Sequence, residues 1–173
     1  SVTKIEDYAF YFCCNLKKIS IPSSVTEIGD YLFVGCTSLT DVIIPSSSSL
    51  SEIGNETFNG CLNLKQISIP SSVTKIGDYC FYCCTGLTQI KIPSSVIKIG
   101  DFAFSLCSSV TELTIPSSVE EINSFSFSDC LNLKFVLFEN LSSLKLIGSC
   151  AFFGCSLISV ESLKSIYDNL LNI

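Results

Sequence analysis

Eleven cysteines stand in this chain of 173 residues, and they are the first candidates for chemistry. Cys80-Phe81-Tyr82-Cys83 has the spacing of a redox or zinc-binding pair, with Cys84 beside it. A redox pair needs an exposed thiol in an electropositive setting, and nothing basic lies nearby in sequence. Seven cysteines recur instead at regular intervals, at 13, 36, 61, 84, 107, 130 and 155. Cys80 fills a slot held elsewhere by Ala9 and Ala103. These thiols are expected to be small buried hydrophobes, one per unit, with Cys14 and Cys150 the exposed, reactive ones. An odd total argues against a complete intramolecular disulfide framework. The chain has no His, so neither a Ser-His nor a Cys-His nucleophile can be built. The sixteen acidic residues are scattered. The expectation is an interaction protein, not an enzyme, with no cofactor and no metal.

The element that must position these residues is a repeat. Phe recurs at 10, 33, 58, 81, 104, 127 and 152, three residues before each ladder cysteine. Such a period marks a solenoid whose units bury their apolar faces against their neighbours. The copies span 2–24, 25–49, 50–72, 73–95, 96–118, 119–143 and 144–161. In each, an Ile (Ile5, Ile28, Ile53, Ile76, Ile99, Ile122, Ile147) is followed closely by Asp7, Asp30, Asn55, Asp78, Asp101, Ser124 or Ser149. Those are helix N-cap residue types, which predicts a short helical or 3₁₀ segment after each. Beyond the cysteine, Leu16-x-x-Ile19-x-Ile21-Pro22 and its equivalents alternate with the period of two of a half-buried strand. One such strand per copy stacks into a parallel sheet. The expected fold is an α/β solenoid of about seven coils. From 162 to 173 the period breaks, and Leu163, Ile166, Tyr167, Leu170 and Leu171 follow the spacing of an amphipathic capping helix.

The combined motif, Leu-x-x-Ile-x-Ile-Pro-Ser-Ser-Val-x-x-Ile-Gly-x-x-Ala-Phe-x-x-Cys, resembles the 23-residue leucine-rich repeat of the BspA-like surface-antigen class. The resemblance covers residues 1 to about 160. It implies a leucine-rich-repeat horseshoe with its parallel sheet on the concave face and the short helical segments on the convex side. It also implies a surface or secreted location and adhesion through binding of host matrix proteins or other cells. Two departures stand out. The slot where many leucine-rich repeats carry Asn holds serine (Ser24, Ser49, Ser72, Ser95, Ser118, Ser143), able to bond the neighbouring turn's backbone. Glu139 replaces the strand-ending proline in copy six.

The outward residues of the strands form three columns that are candidates for a partner. The first reads Lys17, Thr40, Lys65, Thr88, Thr111, Lys134. The second reads Lys18, Asp41, Gln66, Gln89, Glu112, Phe135, and the third Ser20, Ile43, Ser68, Lys91, Thr114, Leu137. Lysines outnumber carboxylates there, although the chain carries a net charge of −6. That bias favours an acidic protein or an acidic glycan. Phe135 and Leu137 add an apolar spot. The residues expected to bind are therefore Lys17, Lys18, Lys65, Gln66, Gln89, Lys91, Lys134, Phe135 and Leu137. End-to-end self-association through an uncovered first coil is a further expectation.

Composition sets other bounds. Ten lysines, no Arg and net acidity argue against nucleic acid. The chain is 47% hydrophobic, yet no apolar run approaches the ~18 residues of a membrane span. With no Met, the chain is expected to be processed or part of a longer protein. The unpaired thiols would suit a cytoplasmic interaction scaffold, the alternative to a surface protein. Of two glycosylation sequons, Asn55-Glu56-Thr57 should point Thr57 inward, and Asn140-Leu141-Ser142 sits in a loop with inserted residues.

Overall fold

The structure, a computed structural model, describes residues 1–159 and 161. The expected capping helix at 162–173 lies outside the described residues.

Each coil contributes to two parallel ladders, where the repeat predicts one. The wide ladder is built from the Ile-x-Ile stretches. It contains β2 (Lys18–Ser20), β4 (Asp41–Ile43), β6 (Gln66–Ile67), β9 (Glu112–Ile115) and β11 (Phe135–Phe138). A bridge between Ile90 and Leu113 brings in the fourth coil. The narrow ladder pairs two-residue strands that end on the recurring Ile of each copy. These are β1 (Lys4–Ile5), β3 (Glu27–Ile28), β5 (Glu52–Ile53), β7 (Lys75–Ile76), β8 (Lys98–Ile99), β10 (Glu121–Ile122) and β12 (Leu146–Ile147). All pairings are in register and parallel, Ile53 beside Ile76 and Ile76 beside Ile99. Among the described residues the wide side comprises two sheets, β2–β4–β6 and β9–β11, with the fourth coil joined to the second of them by its bridge. The seventh coil pairs through β12, and its Ser159 N–H donates to the Lys134 carbonyl at 2.8 Å. The chain makes about six full turns of a β-solenoid. The narrow ladder breaks between β3 and β5, where the second copy carries extra residues at Ser46–Ser49. The insertion at Glu139–Ser143 leaves β10 and β12 paired.

The helical segments expected after each Asp or Asn are absent from the described residues, and their place is taken by chains of turns. Alternate N–H groups leave the coil: those of Tyr31, Phe33 and Gly35 donate to the carbonyls of Asn55, Thr57 and Asn59 at 2.8–2.9 Å. The groups between them close four-residue turns, as when the Cys36 N–H donates to the Phe33 carbonyl at 3.1 Å. Two residues per coil, four apart, take left-handed φ: Tyr8 and Phe12, Tyr79 and Cys83, Phe102 and Leu106. Eleven such residues carry a Cβ, and each costs about 1–2 kcal/mol. An inter-coil hydrogen bond offsets about 0.5–1.5 kcal/mol of that. So does stacking of rings at the same positions, Phe102 on Tyr79 and on Phe125 at 4.8 and 4.7 Å.

The expected N-caps have a different role. Asp7 Oδ1 accepts from the Asp30 N–H, Asp30 from Asn55, Asn55 from Asp78, Asp78 from Asp101 and Asp101 from Ser124, at 2.6–2.9 Å. Each side chain thus satisfies a backbone donor of the next coil and not one of its own. Gly100 beside this ladder has no room for a side chain, because a Cβ there would stand 2.4 Å from Asp78 Oδ1.

Serine and cysteine supply two further ladders. Ser24, Ser72, Ser95 and Ser118 donate their hydroxyls to the carbonyls of Val2, Ser48, Val73 and Val96, one turn back along the stack, at 2.6–2.9 Å. The Cys36, Cys61, Cys84, Cys107, Cys130 and Cys155 thiols donate to the carbonyls of Phe10, Phe33, Phe58, Phe81, Phe104 and Phe127 at 3.1–3.3 Å. Between them runs the Phe spine, seven rings stacked at 5.0–5.4 Å. Phe33, Phe58, Phe81, Phe104 and Phe127 are fully buried.

Candidate binding face

Most residues that could do chemistry are spent inside these ladders. Cys80 is buried and desolvation holds its thiol protonated, well above the ordinary value. Cys83, three residues on, is half-buried at a left-handed position. The Cys80–Cys83 pair is therefore split between core and surface. Burial also pushes the Cys36 thiol up to about 11. Cys14 and Cys150 are exposed, as the sequence suggests. Cys13 departs from expectation: it is exposed, whereas the other six ladder thiols are buried and donate to a carbonyl of the coil before. Among the described residues, no three Cys, Asp or Glu converge as metal ligands.

The wide ladder leaves its alternate side chains in solvent. Register aligns Lys18, Asp41 and Gln66 in one column, and Ser20 with Ile43 in the next. At the far end it sets Phe135 beside Glu112 and Leu137 beside Thr114. Lys17, Lys18, Lys65, Gln66, Gln89, Lys91, Lys134, Phe135 and Leu137 are all exposed. Lys18, Gln66, Phe135 and Leu137 lie in wide strands, Lys17, Lys65 and Lys134 immediately before them, and Gln89 and Lys91 on either side of the Ile90 bridge. They are not equivalent. Lys18 is paired with Asp41 at 3.2 Å, and Asp41 is held below the usual carboxylate range by bonds from Thr40 and Lys18. Lys17, Lys65, Lys91 and Lys134 take part in none of the ion pairs among the described residues. On the narrow ladder, by contrast, Lys4, Lys75 and Lys98 all pair with glutamates of adjacent strands at 2.6–3.2 Å. Four unpaired lysines therefore stand in or beside the wide strands, against one carboxylate within those strands, Glu112, that is in no ion pair among the described residues.

Ile43 is a further exposed anchor that the list of candidates omitted. It is 61% exposed, as is Leu137, with Phe135 at 53%. Its signal was present in the sequence, as an apolar residue in a column otherwise filled by Ser, Lys and Thr. With Lys18, Asp41, Gln66 and Ser68 it lines a shallow depression of about 350 Å³. A second, mostly apolar depression of about 470 Å³ lies at the open side of coil one, lined by Val2, Ile5, Ala9, Phe10 and Ile19.

The two sequons are also resolved. Thr57 is fully buried and donates to the Gly54 carbonyl, while the Asn55 amide is held by Asp30. Asn140 is exposed, and its side-chain oxygen accepts from the Ser142 N–H at 2.9 Å.

In-register parallel ladders, a buried ring spine and a solvent-facing strand surface define a solenoid repeat module of the protein-interaction class. The BspA type leucine-rich repeat region matches residues 3–134 and 47–159, in six copies, and the chain belongs to that family. Among solved structures it is similar to the leucine-rich repeat protein TpLRR of T. pallidum. The two are 31% identical over 97% of this chain and 77% of that one, with a TM-score of 0.87. A leucine-rich cell surface protein from Faecalibacterium prausnitzii shares the fold at 24% identity, covering 92% of this chain and 50% of that one, with a TM-score of 0.63. The pneumococcal vaccine antigen PcpA does so at 22% identity, covering 91% and 53%, with a TM-score of 0.51. No curated protein sequence matches the chain. No helix among the described residues is long and apolar enough to cross a membrane.

Proposed function

We propose that this chain is the binding module of a surface-exposed or secreted protein, which adheres to a matrix or cell-surface protein through the wide strand face. It acts by recognition and not by catalysis. The observation that carries this is the contrast between the two ladders. The narrow one neutralises its charges internally, whereas the wide one leaves four lysines and three large apolar side chains open to a partner. Exposed aliphatic and aromatic anchors supply binding energy, and the surrounding charge steers an acidic partner into place. Membership of the BspA-type family and the likeness to a bacterial cell surface protein support the location. An acidic glycan would satisfy the same charges.

The free thiols favour one other reading, an intracellular scaffold that uses the same face. All eleven cysteines are unpaired, as is usual in reducing compartments. The surface reading accommodates them because six ladder thiols are sealed in the core. A pull-down from matrix and cell-surface extracts tests the strand face. Lys17, Lys65 and Phe135 changed together to Ala should lower capture at least tenfold, with the fold intact by circular dichroism. Unchanged capture would overturn the proposal.

A further inference from the structure

One column of the wide face has a pattern beyond general charge. Across five successive coils it reads Ile43, Ser68, Lys91, Thr114 and Leu137. Register places Thr114 beside Leu137, the bridge from Ile90 to Leu113 places Lys91 beside Thr114, and the Val42–Ile67 pair leads on to Ile43 and Ser68. Between Ser68 and Lys91 the described strands do not pair, and the coils are joined by the Thr88 N–H donating to the Lys65 carbonyl at 3.2 Å. All five side chains are exposed, and the two apolar ends are 61% open. The one cation sits midway, two coils from each end. At ~4.8 Å per coil, the column offers an apolar anchor, a cation ~9.6 Å on, and an apolar anchor ~9.6 Å beyond.

An occupant lying along the stack must present matching groups on one side at that interval. A β-strand places same-side residues at about 6.6 and 13 Å and misses it. An α-helix returns to one face after seven residues, about 10.5 Å, and drifts by about 2 Å over the full span. A polyproline II segment has three residues per turn and a rise of about 3.1 Å, so positions i, i+3 and i+6 share a face at about 9.3 Å. It stays within about 0.6 Å over the whole column. Its backbone forms no internal hydrogen bonds, and in the column adjoining Lys91 stand Gln66 and Gln89 as exposed amide donors, with the exposed carboxylate of Glu112 one coil beyond Gln89. Phe135, beside Leu137, supplies an aromatic wall of the kind that such segments favour.

We infer that the partner segment is an extended, proline-rich peptide with apolar residues at i and i+6 and a carboxylate at i+3. The apolar residues cover Ile43 and Leu137, and the carboxylate pairs with Lys91. This rests on the strand-face reading proposed above and narrows it to one ligand class.

The test is fluorescence anisotropy with three end-blocked peptides: Leu-Pro-Pro-Glu-Pro-Pro-Leu, the shorter-spaced Leu-Pro-Glu-Pro-Leu, and Leu-Pro-Pro-Lys-Pro-Pro-Leu. The first should bind at least tenfold more tightly than either of the others. Ile43→Ser and Leu137→Ser should each weaken it about tenfold. Lys91→Glu should reverse the preference, so that the lysine peptide becomes the better ligand. Equal binding of all three peptides, no binding of the first, or an unchanged preference in Lys91→Glu would each overturn the inference. If the pull-down still depends on Lys17, Lys65 and Phe135, only the peptide class is overturned. If capture is also indifferent to those residues, the face itself is.

Discussion

A cysteine thiol is an unusual hydrogen-bond donor for a repeated core position, and here six of them donate to the Phe carbonyls of the coil before. The bond requires the protonated form, which burial favours at Cys36, where the thiol rises from 9.0 to about 11. A raised folded-state value favours the protonated native state, so its contribution is complete below about pH 9 and is lost as pH climbs toward 11. Cys36→Ser keeps a donor that does not titrate in this range. Its melting temperature should fall less steeply than that of the wild type between pH 9 and 11, with both proteins keeping the Tyr and Lys titrations in common. The rings beside the thiols are the other half of the core. Phe81 stacks between Phe58 and Phe104 at 5.2 and 5.0 Å and is fully buried. Phe81→Ala should cost about 3–5 kcal/mol in urea unfolding. Phe135→Ala, on the open face, should stay within about 0.5 kcal/mol while weakening partner capture. Equal losses for the two would contradict the division between framework and face.

At the scale of the element, the convex segment shows what a sequence conceals. The wide strands were legible because alternation of apolar and polar residues has one structural meaning at that spacing. The Asp and Asn before each turn segment have two meanings. A carboxylate oxygen next to an unpaired N–H is equally a helix N-cap and an inter-coil acceptor, and residue type alone does not say whose N–H it meets. The left-handed Tyr, Phe and Cys positions were hidden for a related reason: only Gly35, Gly60 and Gly154 mark them with the residue that prefers that φ. The two roles of the carboxylate separate experimentally. Asp78→Ala should cost about 1–2 kcal/mol and specifically expose the Asp101 N–H to hydrogen exchange. Asp78→Asn should be close to neutral, because Asn55 already performs the same task for Asp78 at 2.9 Å. Loss of protection within residues 79–82 alone would instead restore the N-cap role.

Across the whole molecule, the period accounts for nearly everything that is buried and for little of what is exposed. The candidate columns could be placed from the sequence because the Ile-x-Ile register fixes which residues face out. The pairing of Lys18 with Asp41 and the neutrality of the narrow ladder came only with the coils in three dimensions. The molecule thereby divides into a self-satisfied side and an open one, and the proposed function rests on the open one. The most direct measurement is photo-crosslinking to matrix and cell-surface extracts, with a benzophenone amino acid placed at one site at a time. Gln66 and Gln89 represent the wide face, and Tyr82 and Leu131 the turn side. Discrete adducts from Gln66 and Gln89, with none from Tyr82 or Leu131, are the predicted result. Adducts from the turn side with the wide face silent would contradict the account.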